Sequence, residues 1–234
     1  MNATLLERLR GFRIPGAVPV PPDAQIVARL RGIDVDGLLL SPDLGFVHPF
    51  DARFAKLILQ TASHLLGGDA CGRYGFAEHG EFSVLLDRQA VKERWNDAGE
   101  LQNFLVGLAS TRMSSLVSAE ALFSCHLFAF NTPELVISYF IWRQQEANLR
   151  ALDLHCTHVL AEERPPEEIA KLLEGLGARE KEEILRQNGI EYSELPAWHR
   201  CGAAVHLAED GRVAVDTNLP RDSAYAPFVQ QYLG

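Results

Sequence analysis

Residues 74–86 read YGFAEHGEFSVLL: two short apolar runs joined at His79-Gly80, with Glu81 where the chain enters the second run. Phosphoryl-transfer enzymes hold metal from carboxylates at such hairpin tips, because Mg2+ takes near-octahedral oxygen coordination and needs several acids close together. Only one acid stands at this entry point, with a glycine beside it. Glu81 therefore reads either as one ligand of an incomplete metal site or as a solvated hairpin residue. Asp34 and Asp36, in DVDG, alternate along what reads as a strand end and could share a cation, although loop acids are more often simply solvated. His155 and His158 are three apart, a spacing that puts both on one helix face and that some zinc sites use, but no third ligand accompanies them. Trp142-Arg143 reads as a packing residue followed by a surface charge. Cysteines 71, 125, 156 and 201 are widely spaced and form no C-x-x-C, which argues against a zinc knuckle or disulfide framework and fits a reducing cytoplasm.

Elements must hold these groups in place. Residues 1–12 read as a short helix, and 14–23, with four prolines, as an extended linker. A strand is expected over 25–30, then a strand end and loop over 31–49. A helix over 49–68 carries the apolar stripe Phe54, Leu57, Ile58, Leu65 and Leu66, and stops at Gly67-Gly68. The hairpin follows, then a helix over 96–118, a strand over 122–130 and a long helix over 133–162. Shorter helices are expected over 165–174 and 178–188, with a solvated acidic junction at 162–168. An Asp-Gly between alternating apolar runs marks a second hairpin over 203–216. From 25 to 130 the order is β-α-β-β-α-β, that of a ferredoxin-like domain: an antiparallel sheet with both helices on one face, the layout of polymerase palms. The fold class is thus α+β. Residues 1–130 form the palm, and 131–234 a helical extension with a β-hairpin that continues it as one unit.

The 234-residue chain suits one domain with a sizeable core. Its net charge of −9 weighs against a broad phosphate-binding surface, which needs clustered Lys and Arg. No apolar run reaches membrane-span length, and the charged N-terminus has no signal-peptide core. No membrane partner and a cytoplasmic location are expected.

Five segments in register resemble the tRNA-histidine guanylyltransferase family, reverse polymerases that add nucleotides in the 3′-to-5′ direction. IVARLRG (26–32) is similar to V-x-R-L-D-G, and PFDARFAKLI (49–58) to P-F-D-E-R-F. The hairpin resembles Y-G-x-x-x-S-D-E-x-S-x-L. NTPELVISYFIWRQQEANLRALDLHC (131–156) resembles P-x-E-L-V-x-D-Y-F-x-W-R-Q-x-D-A-x-R-N-A-L. EKEEILRQNGIEYSELPAWHRCGAAV (180–205) resembles D-K-N-E-L-L-x-x-x-G-I-N-x-N-D-L-P-x-W-Q-K-R-G. The resemblance implies a palm fold, two Mg2+ ions held by two carboxylates, a nucleoside triphosphate substrate, tRNA as partner and homo-oligomers, dimers or tetramers. It places nucleotide contacts at Arg29, Gly32, Ile33 and His79.

The positions that should carry the chemistry depart from the pattern. The first metal acid is replaced by Arg31 and the second by Gly80, so Glu81 is left as a catalytic remnant. A cation in a ligand position repels Mg2+. Arg31 is expected to fill that position and pair with Glu81. The basic phosphate-gripping segment reads WNDAGELQN (95–103), with no Lys or Arg, and F-D-x-R reads FSCH, with Ser124 and His126. Shifting the first motif by five residues would place Asp36-Gly37 on its Asp-Gly at the cost of the V-A-R-L match. The expectation is a pseudoenzyme, with no cofactor, that binds RNA or nucleotide or regulates a partner, as a homo-oligomer or with an active relative. Two alternatives stand beside it. One is an active tRNA nucleotidyltransferase or 5′-end repair enzyme using Asp36, Glu81 and Mg2+. The other is a protein- or ligand-binding module that reuses the cleft.

Overall fold

The structure, a computed structural model, describes residues 9–208 and 210–233, apart from the side chain of Asp36. The helix expected over 1–12 falls mostly outside the described residues. The strands are β1 (Arg13–Ile14), β2 (Gln25–Ile33), β3 (Gly72–Glu78), β4 (Glu81–Leu86), β5 (Leu122–Phe130), β6 (Ala203–Leu207) and β7 (Val213–Asp216). The helices are α1 (Val35–Leu40), α2 (Ala52–His64), α3 (Arg88–Arg94), α4 (Ala98–Val117), α5 (Pro133–Leu160), α6 (Pro166–Leu173), α7 (Ala178–Gln187), α8 (Ala197–Cys201) and α9 (Tyr225–Gln230).

The strands make one antiparallel sheet in the order β1-β5-β2-β4-β3-β6-β7. Its centre, β5-β2-β4-β3, is the ferredoxin-like order, and β6 and β7 extend it with the hairpin expected at 203–216. Alternation along β2 sends Ile26, Ala28 and Leu30 into the core under α2 and α4, and Val27 to the opposite face under α5. Each of these helices starts at a side-chain signal. Asp51 caps α2 by accepting from the backbone N–H of Arg53 at 2.7 Å, and Asp97 caps α4 by accepting from Glu100 at 3.0 Å. The stripe Leu101, Leu105, Ala109 and Met113 then seats α4 on the sheet.

Helix α5 starts at Pro133, where a missing N–H costs nothing. Its first half lays Val136, Tyr139 and Phe140 on the second sheet face. Its second half supplies Ala151, Leu152 and Cys156 to a separate core with α6 and α7. The helical extension is thus anchored by one rod that crosses the back of the palm. Among the described residues no helix is long and apolar enough to cross a membrane.

The segment after β2 differs from the expectation. Strand β2 runs on to Ile33, and residues 35–40 are helical rather than loop. Asp34 takes a left-handed conformation (φ 56°) and accepts from the Gly37 N–H at 3.2 Å, so it caps a helix instead of continuing a strand. Asp36 therefore lies within α1, past the strand end.

Candidate functional site

The second sheet face beneath α5 collects charge. Along β2, β4 and β3 the residues on this face after the apolar ones are Arg29, Glu81 and Glu78. Glu81 is paired across the ladder with both Arg31 and Glu78. From above, α5 lowers Arg143 and Glu146, which are one turn apart, onto the same point.

Arg143 is fully buried and is no surface charge. Its Nη2 donates to Glu78 Oε1 at 3.1 Å and to Glu81 Oε1, and its Nη1 donates to Glu146 Oε2. The Arg29 Nη2 donates to Glu81 Oε1 at 2.7 Å and Glu146 Oε2 at 3.2 Å, with its guanidinium over the Trp142 ring. Arg150 comes within 3.8 Å of Glu78. Three arginines thus face three carboxylates. Burial alone would raise the Glu81 carboxyl, but Arg143 and then Arg29 outweigh it and hold it at about 2. At Glu78 burial wins over Arg143 and Arg150, and its carboxyl is raised. Glu81 is neither a solvated hairpin residue nor the partner of Arg31: the Arg31 side chain is exposed, and the pairing goes to Arg29 and Arg143. The physical reason is position. Arg143 reaches Glu81 from a packed helix with its stem already buried, whereas Arg31 lies at the sheet end, where water competes.

The tip itself is closed by Val35. A Cβ built on Gly80 would collide with Cβ, Cγ1 and Cγ2 of Val35, and a Cβ on Gly32 would collide with Cγ2. The Gly32 N–H donates to the Gly80 carbonyl at 3.0 Å, which locks the two glycines together. Of the positions expected to contact nucleotide, Arg29 is committed to its two carboxylates, Gly32 to this backbone contact, and Ile33 is exposed. His79, in a left-handed turn (φ 44°), packs edge-on to Phe50 at 5.9 Å. His155 stacks on Phe50 as well, while His158 is exposed. Among the described residues no three His, Cys, Asp or Glu side chains are grouped to hold a metal ion.

Two cavities meet at this tip. The smaller, about 300 Å3, is lined by Arg31, Gly80, Glu81 and Arg150. The larger, about 470 Å3, is walled by Phe50, Phe54, Ile58 and Trp198, with Glu78 at one side. His79 lines both. Apolar walls with a few polar groups suit a flat, nucleoside-sized molecule.

By sequence the chain matches no family profile. It also matches no curated protein. By structure it superposes on a bacterial tRNA(His) guanylyltransferase (Thg1)-like protein in complex with ATP, with a TM-score of 0.75 and 19% identity over 98% of this chain and 97% of that one. A bacterial Thg1-like protein in complex with GTP gives 0.70 and 17% over 98% and 96%. The tRNA(His) guanylyltransferase of Saccharomyces cerevisiae gives 0.72 and 20% over 90% and 95%. The chain has the tRNA(His) guanylyltransferase fold.

The Mg2+ ions that the resemblance implies for this guanylyltransferase fold can be tested against the residues present. One oxygen of Glu81 is taken by two guanidiniums. The other, Oε2, is buried with no hydrogen-bond partner and could give a metal one ligand of the six it wants. Position 31 offers a cation, and position 80 offers no side chain and, against Val35, no room for one. The residues present do not fit Mg2+. Sequence reasoning missed Val35 and Glu78, and it read Arg143 as a surface charge and passed over Glu146. For the last two a signal existed: they are three apart on one helix and fall on the Arg and Asp of W-R-Q-x-D.

Proposed function

We propose that this protein is a catalytically silent relative of the tRNA-histidine guanylyltransferases, which binds a nucleotide or an RNA end in the palm cleft and does not transfer the nucleotidyl group. The observation that carries this reading is Val35 packed against Gly80. The resemblance puts the second metal acid at position 80, and an aspartate there would have to displace a branched side chain seated between two glycines. Arg31 on the opposing strand removes the first acid, and the acidic segment 95–103 removes the phosphate grip. Binding is retained because the larger cavity is intact, with aromatic walls and two carboxylates, Asp51 and Glu78.

The structural relatives were captured with ATP and with GTP, which supports a nucleobase as the occupant. The active alternative, which needs Glu81 free and Asp36 on the strand, is disfavoured. Glu81 is held by Arg29 and Arg143, and the Asp36 backbone lies within α1. The cleft is expected to act in assembly with copies of the chain or with an active relative.

The test is a calorimetric titration of ATP and GTP with and without MgCl2, run beside a radiolabelled 5′-end addition assay on tRNA. Nucleotide binding that is indifferent to Mg2+, with no addition product, is expected. Mg2+-dependent addition overturns the proposal. The absence of any nucleotide binding leaves the cleft to a different small ligand.

A further inference from the structure

On the opposite flank of α5, away from the hairpin tip, a third cavity of about 310 Å3 is bounded by Gln145, Asn148, Arg200, Cys201, Arg221 and Asp222, among others. Two arginines from different elements, α8 and the segment before α9, meet here over one helix. Among the described residues neither has a carboxylate within salt-bridge distance, Asp222 included. Two guanidiniums against the single carboxylate of Asp222 leave this hollow locally positive on a chain of net charge −9.

The hydrogen-bond inventory points the same way. Arg200 spends only its Nε, on the Leu195 carbonyl at 2.9 Å, which fixes the guanidinium plane and leaves both Nη groups. Arg221 spends Nη2 on Asn148 Oδ1, at 3.4 Å. That oxygen also accepts from the Tyr192 hydroxyl at 3.1 Å, so the Asn148 amide is turned with its acceptor engaged and its NH2 free. Asn148 Oδ1 is occupied, and the two guanidiniums with the Asn148 NH2 outnumber the acceptors that Asp222, Gln144 and Gln145 bring to the lining. The field is felt locally: burial raises Tyr192 and Cys201, and Arg200 and Arg221 both oppose that rise.

We infer that the Arg200–Arg221 hollow is a binding site for a phosphoryl group, separate from the palm cleft. Donors arriving from three elements suit a tetrahedral oxyanion with three terminal oxygens better than a planar carboxylate with two. The inference does not rest on the function proposed above.

The experiment titrates inorganic phosphate into the full chain at constant ionic strength, with potassium chloride and potassium acetate as parallel arms. It follows the Asn148 and Arg200 resonances by NMR. Saturable shifts with phosphate, at least about ten-fold tighter than with acetate, are expected, since losing the third oxygen and the second charge removes two charge-assisted bonds. Arg221→Gln should weaken phosphate binding at least about ten-fold, and Arg221→Lys should restore only part of it, because a point charge lacks the fork. Arg221 is exposed, so these variants keep the fold even if Arg200→Gln, which loses the Leu195 contact, does not. Equal responses to phosphate and acetate, a response that chloride reproduces, or an unchanged affinity in Arg221→Gln overturns the inference.

Discussion

At the scale of single residues, the site is governed by a buried cation and a missing Cβ. Arg143, itself fully buried, bonds three carboxylates. Removing it leaves the buried Glu78 and Glu81 side by side with only Arg150 near the first and Arg29 on the second. Arg143→Met is therefore expected to cost about 3–5 kcal/mol in urea unfolding, the range for breaking a buried pair from one side. Arg31→Met, at an exposed position in the same ladder, should stay within about 0.5 kcal/mol. Comparable losses for the two would place the important cation at the sheet end after all. Gly80→Asp should destabilise by about 1–3 kcal/mol through overpacking against Val35, and adding Val35→Ala should recover part of it. Independent, additive losses would show that the valine is not what closes the tip.

At the scale of elements, the charge under the hairpin couples β3, β4 and α5 and gives the fold a pH signature. Glu81 sits at about 2, below the ordinary glutamate value of 4.5, so its stabilisation is complete above about pH 4.5 and is lost as the pH falls through about 2. That difference is worth roughly 3 kcal/mol. Glu78 has the opposite sign: its raised carboxyl prefers the proton, so acidification first relieves a cost before the Glu81 contribution disappears. Chemical denaturation across pH 7 to 3 should show stability held or slightly raised, then falling steeply. In Glu78→Gln the early hold should vanish, and a curve identical to wild type would contradict the assignment. Much of this frame was readable from the residues. Strands β2 to β5 and helices α2, α4 and α5 announce themselves through alternation, caps and apolar stripes. Helix α1 did not, because DVDG looks like a turn and only the left-handed Asp34 makes it a cap. The burial of Arg143 was illegible, because whether an arginine on a helix faces water or a sheet depends on the docking angle of α5. Its spacing from Glu146 showed only that the two act together.

At the scale of the whole molecule, the positions of the family pattern separate into two kinds. Arg29, Glu81, Arg143 and Glu146 fall on motif positions, and together they clamp α5 to the sheet. Arg31 and Gly80 also fall on motif positions, where the pattern calls for metal acids. What persists is the part that holds the palm together. MgCl2 up to about ten millimolar should then leave the melting temperature unchanged, since an ion that binds neither state shifts nothing. A rise of several degrees would reveal a seat for the metal. The contact between Val35 and Gly80 has a further consequence for descent. An aspartate restored at 80 meets a methyl wall, and a smaller residue at 35 with glycine still at 80 leaves a hole, so either first step lowers fitness before the second can help. Lineages that cross into this arrangement would find a carboxylate at position 80 barred one mutation at a time.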